Sequence, residues 1–164
     1  MQAIELVRFA LEMTDGSTLN LVQDMRDKSL TQPGPNGGNH PLWIMGHLCV
    51  VEGSLRKILY CEPNPVEHWT PIFGLGSTPQ TDASVYPPFD EVVKTFHELR
   101  ADTLRRLEAL GNEGLDRTPI EIPPGFEDAM KTFGHTLLLI ALHQMVHYGQ
   151  IADARRAAGL KPLR

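Results

Sequence analysis

The chain has 164 residues, of which 41% are hydrophobic and 21% charged, and its formal net charge is -5. These values are typical of a soluble globular protein, and we expect a single domain spanning residues 1–164. The acidic balance argues against nucleic acid as a partner, and the lack of a long apolar run or a signal peptide argues against a membrane or export.

Two segments in the first third of the chain show the apolar periodicity of α-helices. The first covers residues 4–28, with Gly16 as a local weak point. The second covers residues 39–60, where Asn39 is the expected N-cap and Pro41 fits the first turn.

Two further helices follow a long connection, residues 61–88, which is rich in proline and predicts a cover or a crossover. The third predicted helix covers residues 89–110, with Gly111 as its stop, and a second long irregular connection, residues 112–131, follows it. The fourth covers residues 132–158, and Gly159 predicts a Schellman termination. Four long helices without alternating strands predict an all-α four-helix bundle.

Histidines on two of these helices form the strongest functional signal. His143 and His147 lie four residues apart on the inward face of the fourth helix, a spacing that lets two imidazoles bind one metal ion. His47, on the inward face of the second helix, is the best candidate for a third ligand, and Gly46 and Gly149 would let the two backbones approach. Three buried imidazoles without a metal would need partners for all their ring nitrogens, so the pattern favours a divalent metal site over three core histidines.

The other histidines are expected to be non-ligands. His40 is placed at the mouth of the site or at the start of the second helix, whereas His68, His97 and His135 are peripheral. Gln144 stands where the HExxH metallopeptidases carry a glutamate as general base. An amide cannot accept that proton, which argues against peptide hydrolysis by their mechanism.

Other side chains near these motifs are weaker candidates. Trp43 and Tyr148 are expected to line a pocket, with core packing as the alternative. Glu52 is a weak candidate for a catalytic base or a group that orients a ligand imidazole, with a surface ion pair as the alternative. Cys49 and Cys61 form no disulfide framework, so we expect reduced thiols and a cytoplasmic protein.

The stretches NHPLWIMGHLCVVEGSL and HQMVHYGQIADARRAAG resemble the DinB-like superfamily of bacterial four-helix bundles. The resemblance covers nearly the whole chain, and HxxxHYGQI is its most specific element. It implies up-down-down-up helix order, a homodimer, and one divalent ion (zinc, nickel or iron) bound by His47, His143 and His147.

The resemblance also implies a class of reaction. Characterised relatives are thiol transferases and isomerases that use low-molecular-weight thiols such as mycothiol or bacillithiol, and others have been described as metal-dependent hydrolases. We therefore expect a metal-dependent transferase that joins a small thiol to a small electrophile. The alternatives are a hydrolase of unknown substrate and a non-catalytic bundle whose metal is structural or sensory. The arginines considered as anchors for the thiol's carboxylates are Arg8, Arg56, Arg105 and Arg155.

Overall fold

The computed structural model describes residues 2–161 and 163, so the expected domain limits at Met1 and Arg164, as well as Pro162, lie outside the described residues. The described residues are all-α and contain no strand. The helices are α1 (Ala3–Gln23), α2 (Pro41–Tyr60), α3 (Thr70–Phe73), α4 (Phe89–Gly114) and α5 (Phe133–Ala157), with single 3₁₀ turns at Glu67–Trp69 and Ala83–Val85.

The four long helices pack against one another. The most extensive pairings are α1 with α5 and α2 with α4, and α2 also packs on α5. The short helix α3, which the sequence did not predict, packs on α2. The contact between α2 and α5 is the one that a site shared by His47 and the α5 histidines requires. No helix among the described residues has the length and apolarity needed to cross a bilayer.

The start of α2 differs from the prediction by one residue, since the N-cap is His40 and not Asn39. His40 has an extended backbone, and its Nδ1 accepts a hydrogen bond from the Trp43 N–H at 3.0 Å. Its Nε2 donates to the Gln80 carbonyl at 2.8 Å. Because both ring nitrogens are used, the imidazole fixes the helix start and is not free to bind a ligand.

The other helix ends follow the sequence signals with one exception. The exception is α1, which ends at Gln23 and is followed by turns, five residues before the predicted end. In α4 the backbone of Gly111 leaves the helical region, with φ 69°, and one further turn follows. The Schellman termination of α5 is confirmed, because the N–H groups of Gly159 and Leu160 donate to the carbonyls of Arg156 and Arg155.

A buried polar cluster ties all four long helices together. The Arg100 guanidinium on α4 donates to both carboxylate oxygens of Glu52 on α2, at 3.0 and 2.9 Å. It also donates to the Leu11 carbonyl on α1 and to Gln144 Oε1 on α5, each at 2.8 Å. The Gln144 amide in turn donates to the Thr14 carbonyl at 3.1 Å. This cluster fixes the mutual positions of the helices that carry the histidines.

Candidate metal centre

His47 lies in the middle of α2 and is held by two neighbours. Its Nδ1 donates to the Phe73 carbonyl at 2.8 Å, and the Trp43 ring stacks on its imidazole with centroids 4.8 Å apart. Gly46 makes room for this arrangement, because a Cβ there would overlap the Phe73 ring. Gly46 therefore allows α3, and not α5 as expected from the sequence, to approach α2 closely. No described atom of another helix lies within 4 Å of the place where a Cβ of residue 149 would be, so Gly149 serves no close approach of the two helices. With Nδ1 protonated, the Nε2 lone pair of His47 is free.

The two α5 histidines face each other through their Nε2 atoms, which lie 3.1 Å apart. His147 Nδ1 donates to Gln150 Oε1 at 2.8 Å, so its Nε2 also carries a lone pair. Nδ1 of His143 is buried and finds no hydrogen-bond partner among the described residues.

The three rings converge on one point between α2 and α5. Their centroids lie 4.6 to 5.2 Å apart, and one potential ligand atom from each residue lies within 4.8 Å of the others. Nitrogens bound to one zinc ion at ordinary bond lengths lie about 3 to 3.5 Å apart. The 3.1 Å between the Nε2 atoms of His143 and His147 matches this spacing, and His47 and His147 have lone pairs available on Nε2. The cluster could therefore hold a divalent ion, and it consists of the three histidines expected from the sequence.

Burial keeps these imidazoles neutral. Removal from water lowers the pKa of His47, His143 and His147 below the ordinary histidine value. The effect is largest at His143, where burial and then repulsion from the other two rings bring the pKa to about 4. A neutral imidazole has the lone pair that a metal ion needs.

A cavity of about 250 Å³ lies beside the three histidines, and His47 and His143 form part of its wall. The remaining lining is free of charged side chains and consists of Val51, Ser54, Ile58, Leu75, Pro123, Phe126, Met130, Leu139 and Ile140. This cavity was not predicted from the sequence. The residues of α2 and α5 that line it lie on the same inward faces as His47 and His143, so the helical periodicity could have indicated this part of the cavity. Its loop residues follow no periodic pattern and could not be predicted in this way.

The three expected pocket residues do not line this cavity. Trp43 lies behind His47, where its indole N–H donates to the Ser77 hydroxyl at 3.0 Å. His40 is the N-cap described above, and Tyr148 borders a different surface depression near the end of α1. Tyr148 follows His147 directly, and consecutive helical residues project about 100° apart, so the Tyr148 side chain points in a different direction from the His147 ring.

Glu52 and Gln144 belong to the buried cluster around Arg100. Both oxygens of Glu52 are bonded to that guanidinium, so the expected alternative of a surface ion pair is wrong because the pair is buried. Cys49 is buried, which raises the pKa of its thiol, whereas Cys61 is exposed, and neither forms a disulfide.

The remaining charged and titratable candidates lie outside the cluster. His68, His97 and His135 are exposed. The four arginines are all paired with acidic side chains: Arg8 with Glu108, Arg56 and Arg105 with Asp102, and Arg155 with Asp24. None of these arginines is among the residues that line the cavity.

Comparison with family models gives a match over most of the chain. A family model described as the DinB superfamily matches residues 10–151, a range that includes all three histidines of the cluster. A search of curated proteins finds no match.

Proposed function

Because the chain belongs to the DinB superfamily, we propose that His47, His143 and His147 bind one divalent metal ion that activates a small thiol. The observation that carries the proposal is the convergence of three neutral imidazoles with ligand atoms within 4.8 Å of one another. Imidazole donors suit zinc, nickel and iron. His47 on α2 faces His143 on α5, whereas Tyr60 at the end of α2 packs on Phe133 at the start of α5. The two helices therefore run in opposite directions, which supports the up-down-down-up order.

A divalent ion with an open coordination position would lower the pKa of a thiol that binds there. The chain's own residues orient and shield the site. Phe73 and Gln150 hold the rings of His47 and His147, and the largely apolar wall of the cavity borders one side of the site.

The proposed reaction joins the thiol to a small electrophile. The thiol loses its proton to solvent, its sulfur forms a bond to the electrophilic carbon, and the leaving group departs from that carbon as an anion with the electron pair of the broken bond. This step needs no further base once the thiol is ionised, which suits a cavity lining without carboxylates or amines.

The transferase fits the described residues better than a hydrolase. Attack by water benefits from a positioned general base. The sequence offers Glu52 as a candidate base, and Gln144 occupies the position of the HExxH glutamate. Both are bonded to Arg100. The cavity adjoining the histidines also favours a catalytic site over a purely structural or sensory metal. We place the reaction in the cytoplasm, where both free cysteines would stay reduced.

The test is metal-dependent conjugation. Metal-loaded protein is incubated with bacillithiol, mycothiol or glutathione and 1-chloro-2,4-dinitrobenzene, and the coloured conjugate is followed. We expect a rate above background that is lost on chelation and in His47→Ala, but kept in His135→Ala, which changes an exposed histidine on α5. Metal-loaded protein that conjugates none of the three thiols would overturn the transferase assignment and leave the metal site standing.

A further inference from the structure

The walls of the 250 Å³ cavity are suited to an uncharged molecule. Apart from the two histidines at one end, its polar lining group is the Ser54 hydroxyl, which already donates to the Val51 carbonyl at 2.6 Å. Away from the histidine end, a carboxylate or ammonium placed against this wall would lose hydration without gaining a charged partner. The described lining therefore selects against the charged parts of a thiol.

The size of the cavity points to a small ring system. An apolar cavity of about 150 Å³ in another protein holds benzene, so about 250 Å³ suits one or two fused rings. Because His47 and His143 belong both to the cavity wall and to the histidine cluster, a molecule bound in the cavity lies next to the proposed metal.

Two loop residues stand at the cavity with their apolar side chains in solvent. Leu75, between α3 and α4, is 91% exposed, and Phe126, between α4 and α5, is 40% exposed. Leu75 directly follows Gly74, and its loop continues from Phe73, whose carbonyl holds His47. Burying both side chains against a bound ring would recover the apolar contact that they lack in the free protein.

We propose that this cavity is the binding subsite for the electrophile, and that the electrophile is an uncharged aromatic or alicyclic molecule covered by Leu75 and Phe126. The inference rests on the proposed function, because it assigns one of the two reactants to a place beside the metal. The thiol then approaches the histidines from outside the cavity.

Binding can be tested without activity, by ¹⁹F NMR titration of the metal-free full chain. The probes are 1-fluoronaphthalene and 4-fluoro-1-naphthoate, which share a ring and differ in charge. We expect saturable binding of the neutral probe, at least about tenfold tighter than the carboxylate. Equal affinities, or no binding of the neutral probe, would overturn the inference.

Substitutions in the cavity lining test whether the probe binds there. Leu75→Asp should weaken binding of 1-fluoronaphthalene at least about tenfold, because the bound ring would bury the new carboxylate. Ile120→Asp is the matched control, since Ile120 is an exposed apolar loop residue outside the lining. Phe126→Asp serves as the second variant if Leu75→Asp does not fold. Unchanged affinity in the folded variant would overturn the inference.

A parallel zinc titration separates the two proposals. Protein that binds zinc but not the neutral ring contradicts the electrophile subsite alone. Protein that binds the ring but no zinc contradicts the proposed function and, with it, the role of the ring as a reactant.

Discussion

The orientation of His147 depends on one hydrogen bond, from its Nδ1 to Gln150 Oε1 at 2.8 Å. Gln150 is itself approached by the Asn39 amide at 3.5 Å, so the residue before the α2 N-cap steadies a ring on α5. Removing a group that orients a ligand histidine typically weakens metal binding substantially.

We expect Gln150→Leu to lower zinc affinity about 10- to 100-fold while one ion still binds per chain. The affinity is measured by competition with a chromophoric chelator. Gln23→Leu, at the exposed end of α1, is the control and should bind as the parent does. An affinity unchanged by Gln150→Leu would show that the amide does not orient the ring.

Among the helices, the decisive contact is the buried pair of Glu52 and Arg100, which links α2 to α4 and, through Gln144 and Leu11, to α5 and α1. Both side chains are almost fully inaccessible to solvent. Removing one partner from such a pair leaves an uncompensated buried charge.

Glu52→Gln should therefore lower the free energy of unfolding by about 3–5 kcal/mol, measured by urea denaturation followed by circular dichroism. Glu98→Gln breaks an exposed pair with Lys94 on α4 and should change stability by less than about 1 kcal/mol. Equal effects of the two substitutions would contradict a structural role for the buried pair.

The sequence was informative where a signal repeats along a helix. Apolar stripes predicted the four long helices, and the inward faces identified the three clustered histidines. It was uninformative about α3, because four residues are too few to show a period. The Phe73 carbonyl that holds His47 is a backbone group and has no side-chain signature. The burial of Glu52 could not be predicted, since its partner Arg100 lies 48 residues away.

At the level of the whole molecule, most of the large apolar side chains that are exposed among the described residues lie on α1 and α5. Residues 136–152 of α5 include no charged side chain, a pattern typical of a helix buried on all sides. Together with the adjoining α1, its outer face exposes Leu6, Phe9, Met13, Leu138, Leu142, Met145 and Val146. We infer that a second copy covers this face, since two copies related by a twofold axis can pair the same helices with each other.

The chain, of 18.3 kDa, should therefore have twice that mass in solution, measured by light scattering during size-exclusion chromatography. The double substitution Leu142→Asp and Val146→Asp should yield monomers, because carboxylates would be buried unpaired at the interface. Val85→Asp, at an exposed residue outside this face, should stay dimeric. A monomeric parent protein would refute the inference.

The most direct test of the metal centre is the zinc content of the purified protein after loading and exhaustive dialysis, measured by plasma mass spectrometry. We predict about one ion per chain in the parent protein and in the control His135→Ala, and almost none in His47→Ala or His143→Ala. Full occupancy in both of these variants, or an empty parent protein, would contradict the assignment of the three histidines as ligands.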